Sequence, residues 1–270
     1  MGISTRSKFF SYCVVPVLFF VTVPLFAEDT NRIVQTAVTT ELAASRDDHS
    51  LWRYRDEQHV ERKTSIVVQT AEGSVKRLIE KEGRPLTAAE TQTEEARIQS
   101  FIRDPEKLAR QKRDGASDDK NAAELLNMLP TAFTWKIAND NGDEVTLAFA
   151  PNPDFNPPNL QSRVLSAMAG ELVVDKKQHR IKTISGKLTR DVTFGWGLLG
   201  RLKQGGTFRV ERRELKPGLW QITETHVHIV GKALLFKNIG QQQDEVQTDF
   251  TQVPAGTTLE QAAEMSKPKK

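Results

Sequence analysis

The stretch GWGLLGRLKQGGTFRVERRELKPGLWQITETHVHIV, residues 195–230, decides the fold, because its first six residues and its remainder point to different architectures. Gly195-Trp196-Gly197-Leu198-Leu199-Gly200 matches the dinucleotide fingerprint G-x-G-x-x-G. Such a site needs its glycines at a turn from strand into helix. There the main chain approaches pyrophosphate and the helix N-terminus stabilises the negative charge. Here Gly205-Gly206 interrupts any helix after a turn or two, and alternation resumes at Thr207-Phe208-Arg209-Val210. Glu211 and Glu214 could mimic a ribose-binding acid, but they belong to a strand that ends in the turn Lys216-Pro217-Gly218. No βαβ pattern surrounds the motif, and no kinase lysine motif or catalytic loop follows it. The glycines read instead as a bend in a sheet, with Phe194, Trp196, Leu198 and Leu199 as an apolar rim.

Working outward, the same antiparallel signature recurs. TAFTWKIAND and DEVTLAFA flank Asn141-Gly142, the strongest hairpin signal in the chain. Runs at about 50–62, 64–71 and 74–82 form a meander, with Glu72-Gly73 as one of its turns. ELVVD, RIKTISGKLTRDV and DEVQTDFTQV supply further strands. Helical periodicity is confined to a few places. TNRIVQTAVTTELAAS (30–45) puts Ile33, Val34, Ala37, Val38 and Leu42 near one face. Residues 88–113 open on Thr87 and Glu90, spaced as a capping box, and break at Asp104-Pro105. KRDGASDDKN (112–121) reads as a solvated linker, and AAELLNML as a short helix before Pro130. Strands joined by short turns, with helices set apart, predict an α+β fold. The expected form is a large curved antiparallel sheet, a half-open β-barrel, wrapping segregated helices.

The chain opens like an exported protein. Arg6 and Lys8 precede the uncharged run Phe9 to Phe26, and Ala27 is a small residue suited to cleavage. Residues 1–27 therefore read as a signal peptide, with retention as a membrane anchor the other reading. Residues 28–253 read as one β-rich domain with a charged helical insertion at 87–129, and 254–270 as a tail. The sole cysteine, Cys13, lies in the leader, so the 243 residues that follow (270 less 27) contain no thiol for a disulfide, a nucleophile or a metal. Loss of two basic and no acidic residues takes the formal charge from +3 to +1, which gives no electrostatic footprint for nucleic acid.

Candidates for chemistry are few. Glu224, His226 and His228 share one face of a strand and could converge on a metal ion in a metal-assisted hydrolase. The plainer reading is a polar outer face, since a metal centre needs further ligands and orienting partners. Ser185-Gly186 lacks the preceding G-x of a nucleophile elbow, and Glu82, Glu94 and Glu95 have no distinguishing context. No catalytic residue, metal ligand or cofactor is assigned. The tryptophans are more informative. Trp52, Trp135, Trp196 and Trp220 all fall on or beside strands, as core aromatics or as the lining of an apolar groove. The expected ligand-lining residues are Trp135, Phe149, Trp196, Leu198 and Trp220.

ELVVDKKQHRIKTISGKL (171–188) and GGTFRVERRELKPGLWQITETHVHIVGKALLF (205–236) resemble the periplasmic LolA/LolB/RseB-like superfamily of outer-membrane lipoprotein carrier-like proteins. The resemblance covers residues 165–252 and, more loosely, 30–82. It implies a half-open barrel whose concave side holds helices or a hydrophobic ligand such as a lipoprotein acyl chain. The expectation is thus a non-catalytic envelope protein that binds a lipid or acyl chain. Its partners would be a lipid, a lipoprotein or an envelope protein, with peripheral membrane contact allowed. The alternatives are the hydrolase above and a structural or sensory protein-binding domain.

Overall fold

A computed structural model describes residues 25–194, 200–233 and 242–268. Residues 1–24, most of the expected leader, lie outside the described residues, as do Trp196 and Leu198. Helix α1 (Leu25–Asp47) is followed by the meander β1 (Trp52–Gln58), β2 (Lys63–Thr70), β3 (Gly73–Lys81) and the short β4 (Arg84–Pro85). Helices α2 (Ala88–Ile102) and α3 (Pro105–Ala132) lead to the hairpin β5 (Phe133–Asp140) and β6 (Glu144–Pro151). Then come α4 (Leu160–Leu165), β7 (Met168–Asp175), β8 (Arg180–Leu188), β9 (Val192–Phe194), β10 (Gly200–Leu202), β11 (Thr207–Lys216) and β12 (Leu219–His228). The chain closes with β13 (Gly231–Ala233), β14 (Gln243–Gln252) and α5 (Leu259–Met265).

Eleven strands form one open antiparallel sheet in the order β4-β3-β2-β1-β14-β12-β11-β8-β7-β6-β5, and β13-β10-β9 form a small second sheet. The fold is therefore α+β with a large sheet that does not close. The glycine motif links β9 to β10, which pair antiparallel with Gly200 opposite Phe194. Its described flanks are strands, and its last glycine, Gly200, opens a strand and not a helix.

The helices form two sets, and the strand register puts them on opposite faces of the sheet. Val34, Ala37 and Val38 of α1, with Leu129 and Ala132 of α3, pack on Val145, Leu147, Phe149, Leu172 and Val174. Ile98 and Ile102 of α2, with Leu259, Ala262 and Ala263 of α5, pack on Ile66, Val68 and Val75. Ile66 lies opposite Arg55, Arg55 opposite Thr248, Val246 opposite Glu224, Glu224 opposite Glu211, and Glu211 opposite Thr183. Thr183 pairs Val173, the neighbour of Leu172. Successive side chains on a strand alternate faces, so Ile66 and Leu172 point to opposite sides.

Two buried charges fasten these layers. Glu41 of α1 takes two bonds from Arg180, at 3.0 and 3.1 Å, one from the amide of Ile181 at 2.7 Å, and one from Arg212. Burial alone would raise its pKa, but the bonds from Arg180 and the charge of Arg212 hold it below the usual value. On the other side, Arg77 of β3 binds Ser266 and the carbonyl of Ala263 after and within α5, and Glu95 of α2. The tail from 254 is thereby tied into the second core.

Local signals held where they were strong. Thr87 and Glu90 form the capping box of α2, and Asp104 caps α3. Gly142 and Gly218 carry positive φ, 94° and 79°, in their hairpin turns. One expectation is corrected: residues 112–121 are not a linker but the middle of α3. Their composition is that of a loop, yet helix propagates cooperatively between a capped start and an end buried at Leu129 and Ala132. The turn between β1 and β2 falls at 59–62, with Arg62 at φ 52°, so that Lys63 opens β2.

Candidate functional site

The sheet has a seam between β12 and β14. Strands β12 and β14 pair only over Glu224–Val246, Thr225–Glu245, His226–Asp244 and Val227–Gln243. Below Glu224 and Val246 the two strands part, each held by its other neighbour, β11 or β1. Each strand carries a bulge below the fork. In β12 the register against β11 slips between Glu211 and Arg212, which leaves Thr223 as the extra residue. In β14 the register against β1 slips between Arg53 and Arg55, leaving Asp249 and Phe250 opposite Tyr54. Asp249 takes φ 55°, a left-handed conformation that Asp tolerates better than most residues. A bulge bends its strand and sharpens the local twist, so neither arm simply continues the ladder above it.

Between the arms lies a cleft of about 590 Å3. Trp52, Leu215, Val246 and Phe250 supply its apolar wall. The Phe250 ring meets Trp52 edge-on at 6.2 Å and stacks on Tyr54 at 5.2 Å. Thr223, which lines the cleft, is 5% exposed, and its buried hydroxyl has no hydrogen-bond partner. An unpartnered buried hydroxyl is costly and rare. At the far end Lys216 Nζ of β11 reaches across to β14, donating to Gln252 Oε1 at 2.6 Å. Within the β11–β12 hairpin Arg213 pairs with Glu224 at 2.9 Å.

Gln247, another lining residue, connects the cleft to a buried acid pair. It donates to Glu245 Oε1 at 2.9 Å. Asp56, 2% exposed, accepts from Lys76 at 2.5 Å and from Gln58 at 3.3 Å, while its Oδ1 has no partner. Burial pushes the Asp56 carboxyl up to about 6, with the neighbouring Glu245 adding to the rise and Lys76 opposing it. Burial would raise Glu245 as well, but its bonds to Asp56 and the two glutamines hold it below the usual range. A proton held on Asp56 and bonded to Glu245 keeps the two charges from facing each other. Tyr54 is shifted upward by the same burial and the same two carboxylates.

The sequence-based ligand residues lie elsewhere. Trp135 and Phe149 come together with Phe133, ring centroids 4.6 to 5.8 Å apart. They are 8% and 4% exposed, and belong to the core beneath α1 and α3. Trp135 Nε1 donates to the carbonyl of Leu129. Trp220 is buried separately, its ring 5.7 Å from the Arg180 guanidinium and its Nε1 on Gln178. None of the three is among the residues lining the cleft described above, although Trp220 lies on the β12 arm beside the seam.

The E-x-H-x-H strand places Glu224 and His226 side by side, 3.4 Å apart, as alternation requires. His226 Nδ1 meets Asp244 at 2.9 Å, and Asp244 also faces His59 at 3.3 Å. Among the described residues, no group of three or more His, Cys, Asp or Glu side chains is disposed to hold a metal ion. Glu94 and Glu95 serve as structural acceptors, for the amide of Leu78 and for Arg77.

The seam residues Thr223, Asp249 and Phe250 escaped the sequence reading. One signal was present: Asp249 interrupts an otherwise regular strand, where aspartate is disfavoured. Among the described residues no helix is long and apolar enough to cross a membrane. In comparisons with known proteins, no family model, no curated protein and no solved structure matches the chain.

Proposed function

We propose that this protein is an exported, non-catalytic binding protein of the cell envelope, and that it holds an apolar or amphipathic ligand at the seam between β12 and β14. The observation that carries this reading is the parting of β12 and β14, each bulged, beside a cleft with an aromatic wall and the unpartnered hydroxyl of Thr223. Its volume lies within the range of about 300–1,000 Å3 usual for small-ligand sites. The position differs from the one expected at Trp135 and Phe149. A ligand there would have to displace α1, whose Glu41 is held by two guanidinium groups and a main-chain amide. The seam needs no such displacement.

Native mass spectrometry of the mature protein isolated from its source tests this. A retained adduct, lost in Phe250→Asp and kept in a variant altered on the distant α3 surface, supports a ligand at the seam. A bare polypeptide, or an adduct indifferent to Phe250, refutes it.

A further inference from the structure

We infer that the ligand of this seam is an extended polypeptide segment, taken up as an inserted strand. The inference rests on the seam being the ligand site and names what it recognises. Below the last ladder pair, Glu224–Val246, residues 219–223 of β12 and 247–252 of β14 have no ladder partner across the seam. Each arm stays paired along its other edge with β11 or β1, apart from its bulge. Two strand edges therefore flank the gap, each presenting N–H and C=O groups in its plane.

Chemistry selects the occupant. An acyl chain would fill the space against Trp52 and Phe250 but leave both rows of main-chain groups, and the Thr223 hydroxyl, without partners. That desolvation is unfavourable. A polypeptide carries donors and acceptors at the strand repeat on both edges, so it satisfies both walls at once. Since β12 and β14 are antiparallel, the inserted strand runs antiparallel to one wall and parallel to the other. The β14 arm, six residues from 247 to 252, spans about 20 Å at the strand rise. Side chains alternating along the insert would meet Trp52 and Phe250 on one face and Arg213 and Glu224 on the other. The Lys216–Gln252 bridge at the far end is made by flexible side chains, which can swing aside without breaking any main-chain pairing.

The test uses the whole mature protein and a defined probe set: acetylated, amidated hexapeptides with Thr at alternate positions and varied residues between. Retained peptides are identified by native mass spectrometry, then remade with alternate amides N-methylated. Dodecanoate serves as the acyl probe. The expected result is retention of a subset of peptides and at least tenfold weaker binding after N-methylation. Slowed amide exchange confined to residues 219–223 and 247–252 should accompany it. Equal binding of the N-methylated peptides, or protection elsewhere, overturns strand insertion. Dodecanoate binding at the seam without any peptide overturns it too, while leaving the seam as a ligand site. Failure of both probes removes the site and the inference together.

Discussion

Replacing Asp56 with Asn should stabilise the protein at neutral pH and leave it nearly unchanged in acid. Asp56 is 2% exposed, and burial raises its pKa from 3.8 to about 6. The native state therefore holds this proton more tightly than the unfolded chain does. The carboxyl's contribution is fully favourable below pH 3.8, and is lost as pH rises through 6. Two pH units correspond to about 3 kcal/mol, an upper value because the proton is shared with Glu245 and the titration belongs to the pair. Asn keeps the shape. Its amide donates to Glu245 as the protonated carboxyl does, and its carbonyl still accepts from Lys76. The Lys76 side chain is 45% exposed and keeps its hydration when the charge opposite is removed. Urea unfolding at pH 7.5 and pH 4 measures the effect. Asp56→Asn should gain about 2–3 kcal/mol at pH 7.5 and no more than about 0.5 kcal/mol at pH 4. A loss of stability at pH 7.5, or the same gain at both pH values, would refute the shared-proton account.

Glu41→Gln should act in the opposite sense. It leaves Arg180 buried without its carboxylate and should cost about 3–5 kcal/mol at pH 7 in urea unfolding. Because the Glu41 pKa is lowered from 4.5, the wild-type advantage is present above that value and should shrink as the pH falls below it. Gly170→Ala would put a methyl carbon 1.9 Å from the carbonyl oxygen of Ser185. It should therefore yield insoluble protein, or lower the thermal midpoint far more than Gly115→Ala in the exposed middle of α3, where nothing lies within 4 Å. Thr87→Ala removes the reciprocal cap of α2 and should cost about 1 kcal/mol in the same unfolding assay.

What could be read from the sequence was local. Asn141-Gly142 and Pro217-Gly218 announced their hairpins because few residues accept positive φ. Thr87 with Glu90, and Asp104 with Pro105, announced their helix starts because orphan amides at a helix N-terminus need nearby acceptors. Val34, Ala37 and Val38 marked the buried side of α1 by period alone. The same locality explains the failure at 112–121. Gly115 and the run of Asp and Lys there are poor evidence against a helix that is capped at Asp104 and anchored at Leu129.

The site was not legible for a matching reason. Asp56 sits in the charged run RYRDEQ, where period-2 alternation is invisible, and only its burial, with Glu245 of β14 nearby, pushes its carboxyl up. Trp135 and Phe149 looked like a lining because aromatic strands suit both a groove and a core. Whether a helix covers that face is decided by α1, more than 80 residues earlier in the chain.

The sequence by itself determined the antiparallel habit, the short turns, the helix caps and the absence of a strand-to-helix glycine turn. Each of these depends on interactions within a few residues. Tertiary structure alone decided that β14 returns to lie between β1 and β12, that the two helix layers take opposite faces, and that bulges at Thr223 and Asp249 lie on either side of a seam. Those outcomes depend on which edges meet and in what register, and a shift of one residue in either strand would reverse every side chain on it.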